Sequence, residues 1–429
     1  MHRILKIFSL LILVSPVVTG QKLVNSPYSR FGPGTLEPQG VFRIRSMGGS
    51  GVAISDPLSV NFLNPASFSA VDTNSFVFDF GLDFQVNYLS NSEESYLSDD
   101  MNFHHLTMAF PLSKRIGFAT GIIPYSSGYY NLSSRITEDD PEYDPIIGET
   151  ENRHKGSGSI TQAFFGLGIK PVKGLSVGAT MSFLFGELVR ENIYYFLDDN
   201  NYYHNLRKEK ILLRGINFNY GIQYTVDFRN DFFSTAGFAL KTRKEYKAEY
   251  ESIFSKYTLY TGTVFSNDTL EYVLDENAHA SLPQTIGIGI AFGKRDHFTV
   301  TADYRVAGWE NCIFFGYESY LVNSNTIAFG AEIIPSKYAN FNYLNRVEYR
   351  LGGHITDSHL MVNSEQLKEI GITFGAGLPL NRTKSRINVH FEYLNRSGSF
   401  ENGLHSERCF NFGVSFNFYD YWFIKRKYN

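Results

Sequence analysis

Cysteine is nearly missing from this chain of 429 residues: Cys312 and Cys409 are the only two. A disulfide framework is therefore excluded as the source of stability. Whether this pair bridges depends on geometry that spacing does not give, and two unpaired, half-buried thiols are the expectation. Neither sign of charge dominates. Lys and Arg number 39 against 43 Asp and Glu, a net charge of −4, so no nucleic-acid partner is expected. Catalytic motifs are lacking too. There is no Cys-x-x-Cys, and His104-His105 do not have the i, i+4 spacing of a helical zinc site. No Gly-x-Ser-x-Gly elbow occurs, and Gly48-Gly49-Ser50-Gly51 lacks the Lys-Ser/Thr ending of a phosphate loop. No catalytic residue, metal or cofactor is expected, and the chain reads as a non-enzyme. No repeat with a period of about 20–50 residues marks a solenoid or propeller.

Long apolar runs are also scarce. The one at the N-terminus, from Ile7 to Val18, follows the basic start Met1-His2-Arg3-Ile4-Leu5-Lys6 and precedes Thr19-Gly20-Gln21. A basic region, a short apolar stretch and small residues at the junction predict a secretory signal over residues 1–20, cleaved before Gln21. The run is too short to span about 30 Å of hydrocarbon. After Gln21 no run of about 18 apolar residues occurs, so no transmembrane helix is expected.

What the chain does have is 38 Phe, 28 Tyr and 37 Gly, arranged with a period of two. Ile216, Phe218, Tyr220, Ile222, Tyr224 and Val226 alternate with Asn217, Asn219, Gly221, Gln223 and Thr225. Ile286, Ile288, Ile290 and Phe292 alternate with glycine and alanine, and Phe410, Phe412, Val414, Phe416 and Phe418 with Asn411, Gly413, Ser415 and Asn417. Such alternation gives a strand one apolar and one polar or small face. In a membrane barrel the apolar face meets lipid and the other lines the lumen, so mean hydropathy stays near neutral.

Fourteen such segments are read, at 75–88, 103–110, 115–125, 158–170, 175–190, 210–228, 232–244, 282–293, 298–309, 324–334, 344–355, 367–379, 386–396 and 407–419. Their connectors alternate between tight turns, such as 111–114, 171–174, 229–231 and 294–297, and long links at 126–156, 191–209 and 245–281. Short turns opposite long loops are the pattern of outer-membrane barrels. The fold class predicted is all-β, a fourteen-stranded antiparallel transmembrane barrel over residues 74–420 with a tail at 421–429. The turns carry Lys114, Arg115, Lys173, Arg295, Lys337, Arg382 and Lys384, and one long link carries Glu138, Asp139, Asp140, Glu142 and Asp144. Ordinary solvation accounts for these charges better than cation bridging to lipid head groups.

Residues 21–73 lack the two-residue period. Pro27, Pro33, Pro38, Pro57 and Pro65 interrupt them, and a short helix capped by Asp56 is expected over 56–62. The segment reads as a compact plug. Asp227, Asp303, Arg305, Glu348, Arg350, His354, His390 and Glu392 oppose the lipid-facing residues of their strands. A paired network that fills the lumen is the plainer reading of these residues. The sharper one is a polar site for an anionic head group, with Arg305 and Arg350 as donors. Pro124 ends a regular run and is followed by Gly128. Proline there marks either a break in the wall or merely the strand end.

The stretch Met47-Gly48-Gly49-Ser50-Gly51-Val52-Ala53-Ile54-Ser55-Asp56, followed by Asn64-Pro65-Ala66, resembles the plug signature of the FadL/TodX family. Those proteins are outer-membrane channels for long-chain fatty acids and other hydrophobic compounds. Arg115–Tyr125, Glu369–Leu380, Ile387–Tyr393 and the ending Tyr421–Lys427 are also similar. The resemblance implies fourteen strands and an N-terminal hatch at 21–73, with Gly48, Gly49, Gly51, Asp56, Asn64, Pro65 and Ala66 as its motif. It implies capture of a hydrophobic molecule or fatty acid by external loops and its passage to a luminal pocket. Release would run sideways into outer-membrane lipid through a gap at Gly121, Pro124 and Gly128. The membrane would be the bacterial outer membrane, with its lipopolysaccharide. Some barrels of this type instead serve secretion by binding a protein, in which case 126–156 and 245–281 would form an external platform. A luminal pocket lined by Phe and Leu would favour the first function, a filled lumen the second.

Overall fold

The computed structural model of the chain describes residues 26–90, 95–197, 202–260, 263–339, 342–381, 383–398 and 405–421. The signal expected at 1–20, Arg382 and all of the expected tail except Tyr421 lie outside these residues. The strands are β1 (Thr35–Leu36), β2 (Ser75–Ser90), β3 (Ser95–Ser113), β4 (Ile116–Ser127), β5 (Tyr130–Ile136), β6 (Thr150–Val172), β7 (Leu175–Phe196), β8 (His204–Asp227), β9 (Phe232–Lys241), β10 (Lys244–Tyr260), β11 (Thr263–Leu282), β12 (Thr285–Lys294), β13 (Phe298–Ala307), β14 (Ser324–Ile333), β15 (Glu348–Val362), β16 (Glu365–Pro379), β17 (Arg386–Ser397) and β18 (Ser406–Tyr421).

Fourteen of them close a transmembrane barrel of antiparallel pairs. β2, β3 and β4 are followed by β6 to β9 and then β12 to β18. The seam is β18 on β2, in register from Ser406↔Ser90 to Tyr421↔Ser75. The alternation read in the sequence becomes two faces of one wall. Ile216, Phe218, Tyr220 and Ile222 are exposed outward, while Asn217, Gly221 and Gln223 are buried inside. A closed sheet leaves no unpaired edge in hydrocarbon, where an unsatisfied backbone group costs several kcal/mol. No helix among the described residues is long and apolar enough to cross a membrane.

Several expected loops are strand. β6 begins at Thr150, β7 runs to Phe196 and β8 begins at His204, where 126–156 and 191–209 were expected to be irregular. β10 and β11 fill 245–281 with a hairpin whose inner strand, β10, continues the ladder on β8 from Lys247↔Arg214 to Tyr257↔His204. β3 likewise starts at Ser95 rather than 103. The physical reason is that these parts stand clear of the membrane. The outward face then meets water instead of lipid and carries charge, so the outward apolar row that marks a membrane strand is missing, although the inward face of β10 still buries Tyr246 and Ala248 between exposed Glu245, Lys247 and Glu249. The 24 residues of β8 compare with the roughly 9–11 that cross a bilayer.

Residues 26–74 thread the inside of this wall. Ser26 Oγ donates to Glu407 at the long-loop end, and Lys384 Nζ reaches Asp72 at the turn end. The expected helix at 56–62 does not form. Asp56 accepts from Leu58 N, and Asn61 Nδ2 donates to the carbonyls of Gly51 and Ile54, so side chains fold this stretch into turns. Helical turns occur instead at Phe42–Arg45 and, as a 3-10 turn capped by Asn64, at Pro65–Ala70. Luminal glycines let the wall approach the threaded backbone. A Cβ at Gly178 would lie 2.3 Å from the Pro65 carbonyl, and one at Gly352 2.2 Å from Gly48 N.

Gly178→Val is therefore expected to unseat the luminal segment at a cost of about 1–3 kcal/mol, the usual scale of overpacking. Limited proteolysis should cut within 26–74 while the barrel keeps its heat-modifiable migration in SDS gels. An unchanged cleavage pattern would show that the seat tolerates the added bulk.

Candidate luminal site

The luminal segment is fastened by charge. Arg43 meets Asp56 at 2.8 Å and Glu332 at 2.7 Å. Asp56 meets Arg386 at 3.0 Å, Arg386 meets Glu348 at 2.7 Å, Glu348 meets Arg350, and Arg350 meets Glu332 at 2.7 Å. Three guanidiniums and three carboxylates thus alternate in a closed ring near the turn end. Two members come from the segment and four from β14, β15 and β17. Burial alone would raise the Asp56 carboxyl, but Arg43 and Arg386 hold it below the usual carboxylate range. Arg350 is fully committed, with Asn388 accepting at 2.8 Å besides the two acids. The expectation that it donates to a ligand is therefore corrected: a guanidinium surrounded by two carboxylates and an amide has no free face.

A second anchorage sits above the ring. Arg45 contacts Glu392 at 2.6 Å and Asp83 at 3.2 Å, and His354 and His390 flank Glu392 at 3.9 and 3.8 Å. The Phe42 ring packs on His104 at 4.4 Å and on His390 at 5.5 Å. His104 and His105 both face inward because β3 bulges opposite Gly81 and Leu82. Asp303 Oδ2 accepts from Gly51 N at 2.7 Å and Val52 N at 2.9 Å, which seats the glycine-rich turn. Gly48 and Gly49 adopt φ of +68° and +76° there, a region that disfavours a side chain. Asn64 donates to Val52 O and also to the carbonyls of Ile222 and Phe238 in the wall. Pro65 and Ala66 are buried beside it. Asp227, expected in the lumen, is corrected: it is exposed at the turn end and paired with Arg295 at 2.6 Å.

Between these anchors and the long-loop end lies a cavity of about 380 Å³. Its upper boundary combines an apolar cluster with the ion pairs of Arg396 to Glu369 and Glu407. Trp309, Phe314 and Leu321 dip in from the 308–323 link and pack with Tyr125, Tyr246, Leu282, Leu360 and Leu367. Its lower boundary is polar and includes Arg45, Glu392, His354 and Arg305. Most luminal charges are spent on one another. Lys241 and Arg305 line the cavity with no carboxylate within ion-pair distance among the described residues. Lys241 Nζ instead lies 4.6 Å from the Tyr125 ring centroid.

Tyr125 belongs to a break in the wall. The β3–β4 ladder ends at Leu106↔Ile122, with Gly121 in its last turns opposite Thr107. Beyond it β4 bends inward: Ser126 and Ser127 are buried and pair with Leu36 and Thr35 of β1. The β4–β6 ladder is irregular between Pro124 and Ser126, which leaves Tyr125 as the extra residue. Pro124 has no N–H to offer there. Gly128 N still bonds Gly158 O. A small satellite pocket beside the break is lined by Phe103, His104, Ile123 and Pro124, and shares Glu37, Gln39 and Phe62 with the main cavity.

Strand parity pointed to Asp303, Arg305, Glu348, Arg350, His354, His390 and Glu392. The same parity applies to Glu332, opposite the outward Ile333, and to Arg386, two before Asn388, yet neither was singled out. Arg43 and Arg45 sit in the segment without a period, so no pattern marks them. Lys241 ends β9 beyond the alternating run. Among the described residues no group of His, Cys, Asp or Glu is arranged to hold a metal. Cys312 and Cys409 are buried and unpaired.

Comparison with known proteins adds two findings. The family model described as BamG matches residues 1–429. Among solved structures, the Ralstonia pickettii toluene transporter TbuX aligns at 14% identity over 91% of this chain and 98% of its own, with a TM-score of 0.55. The P. putida toluene transporter TodX aligns at 16% over 89% and 98%, TM-score 0.55. A Pseudomonas aeruginosa FadL homologue aligns at 11% over 90% and 98%, TM-score 0.54. At these identities the likeness is one of fold, of the FadL type. No curated protein matches the sequence.

Removing one ring member should leave a buried charge uncompensated, at about 3–5 kcal/mol. Arg43→Met is expected to expose 26–74 to protease and to raise single-channel conductance in planar bilayers; unchanged conductance would argue that the ring does not seal the turn end. The depressed Asp56 acid contributes stability that is present above its unfolded value of about 3.9 and lost as pH falls through the lower folded value. Conductance should accordingly stay flat from pH 7.5 to 5 and rise only below about 4.

Proposed function

The chain belongs to the BamG family, and on that premise we propose that it is a bacterial outer-membrane barrel that binds a small hydrophobic molecule with an anionic end, a long-chain fatty acid being the simplest case, and passes it sideways into the membrane. The observation that carries this reading is the position of the cavity. It has an apolar cluster in its roof, two cations, Lys241 and Arg305, with no carboxylate within ion-pair distance among the described residues, and a neighbouring stretch of wall where β4 has left β3. An apolar tail gains nothing from an aqueous pore and gains much from lateral delivery to lipid. A cation in a low-dielectric cavity is best satisfied by an anion that arrives with the ligand. The salt-bridge ring closes the turn end, which leaves the β3–β4 break as the exit. Residues 26–74 act as the hatch: the ring holds its lower part, and hydrogen bonds such as Ser26 to Glu407, with the β1–β4 pairing, are what would have to give way in its upper part. The toluene transporters that share the fold support a hydrophobic substrate.

A second reading is favoured by the long-loop end. The pairing of β5 to β8 and of β10 and β11 builds a sheet outside the barrel, more than a loop-capped pore requires. Such a platform suits a protein partner, including one of a secretion system.

Mass spectrometry of lipids that co-purify in mild detergent tests the first reading. A fatty acid or similar amphiphile should be enriched with the wild type. Lys241→Met with Arg305→Met should lower its occupancy by about tenfold, the scale of one lost charge-assisted hydrogen bond. Pro124→Ala with Gly128→Ala should slow uptake into the membrane without that loss of occupancy. A wild type with no enriched amphiphile would sink the luminal-ligand reading and leave the partner reading standing.

A further inference from the structure

We propose that the outer edge of β11 between Glu271 and Asp275 is a docking site where an extended, basic segment of a second protein adds to the sheet as a further strand. The inference rests on the partner reading and gives it a place and a chemistry.

One edge of β11 pairs with β10 along its length, and β10 in turn pairs with β8. Among the described residues no strand pairs with the other edge. Only its base is tied down, where Ser281 N donates to Ile313 O at 2.9 Å. From Asp268 to Asn277 every residue is exposed, on both faces. Tyr272 is 56% exposed, Leu274 43% and Val273 40%. Proteins usually guard such an edge with lysine, proline, a short length or a bulge. β11 is 20 residues long and contains no Lys, Arg or Pro.

Its defences are its own carboxylates, which repel a second acidic strand but not a basic one, and bulges, which fall on either side of a window. The register slips between Phe254↔Glu271 and Ser255↔Thr269, and again between Tyr250↔Asp275 and Ala248↔Ala278. Between them the five residues Glu271, Tyr272, Val273, Leu274 and Asp275 pair regularly. They offer a straight row of backbone donors and acceptors with aromatic and β-branched side chains, which suits strand addition.

Charge selects the occupant. The window has a carboxylate at each end, and Asp268 and Glu276 add two more nearby. Arg207 of β8 reaches Glu271 at only 3.6 Å, in an exposed position where such a pair is weak. A second copy of this chain fits badly. Antiparallel self-pairing centred on Val273 sets Glu271 opposite Asp275 of the other copy, and like charges opposite each other destabilise a sheet. A strand with Lys or Arg spaced four residues apart would meet both carboxylates.

Hydrogen exchange of the full-length chain, with two seven-residue peptides as probes, tests the proposal. One is Thr-Lys-Thr-Val-Thr-Lys-Thr, with its lysines four residues apart, and the other carries Glu at both lysine positions. The basic peptide should slow exchange of the 271–275 amides by about tenfold, the response to a half-open edge becoming paired. The acidic peptide should not, and Glu271→Lys with Asp275→Lys should reverse the preference without altering the melting temperature. In outer-membrane vesicles the same amides should exchange more slowly than in the purified chain, and the double variant should lose that difference. Equal exchange with both peptides, or protection that ignores the double variant, overturns the proposal. So does a dimer in sedimentation that shields the window. If a protein co-purifies while the window stays unprotected, docking is elsewhere on the platform: this edge is ruled out and the partner reading survives.

Discussion

The lumen of this barrel is organised around a ring of six charges. Three arginines and three carboxylates, buried together, neutralise one another only if residues 26–74 are inside the wall, because Arg43 and Asp56 complete a circuit that β14, β15 and β17 begin. Desolvating these groups singly would be prohibitive, and the alternation turns that cost into a fixed geometry. The ring does not by itself make the protein stable. It makes one arrangement of the luminal segment much better than any shifted one, since a shift of a single residue would put Phe42 or Ile44 in the place of Arg43 and Ser55 or Pro57 in that of Asp56, leaving the wall charges buried and unpaired. The turns at Gly48–Val52 and Asn64–Ala66 then follow, held by Asp303 and by wall carbonyls.

Above the ring, the remaining space is defined by what the ring leaves unoccupied. Above it the charges are still mostly paired, and Lys241, Arg305 and the carboxylate of Glu37 line the cavity without an ion-pair partner among the described residues. The apolar part of its roof comes from the 308–323 link. Its side comes from the point where β4 trades pairing with β3 for pairing with β1 inside the lumen. The same inward bend supplies both the Tyr125 wall of the cavity and the interruption of the barrel, so pocket and opening are one structural feature.

The long-loop end obeys a different solvent. In the membrane every backbone group must be paired and every outward side chain apolar. Beyond it only the pairing persists, and β6, β7, β8, β10 and β11 carry it well past the hydrocarbon. The consequence is an ordered external sheet with an edge, a feature that the closed part of the barrel is built to avoid.

The sequence by itself determined the membrane part. Strict alternation at segments such as 216–226, 286–292 and 410–418 exists because one face of each strand meets lipid, and that constraint is written into every second residue. The fourteen barrel strands and the short turns were legible for this reason. Parity also placed Asp303, Glu348, Arg350, His390 and Glu392 inside. The tertiary structure alone decided what those residues touch. Arg350 is consumed by Glu332 and Glu348, Arg305 has Asp303 near it but no carboxylate within ion-pair distance among the described residues, and nothing local distinguishes the two. It also decided the roles of Arg43 and Arg45, whose segment has no period because it is buried on all sides. His104 and His105 both turn inward at a bulge that breaks parity. The external strands turn a charged face to water, as in β10, where Glu245, Lys247 and Glu249 are exposed between buried Tyr246 and Ala248, so they lack the outward apolar row that marks a strand in lipid.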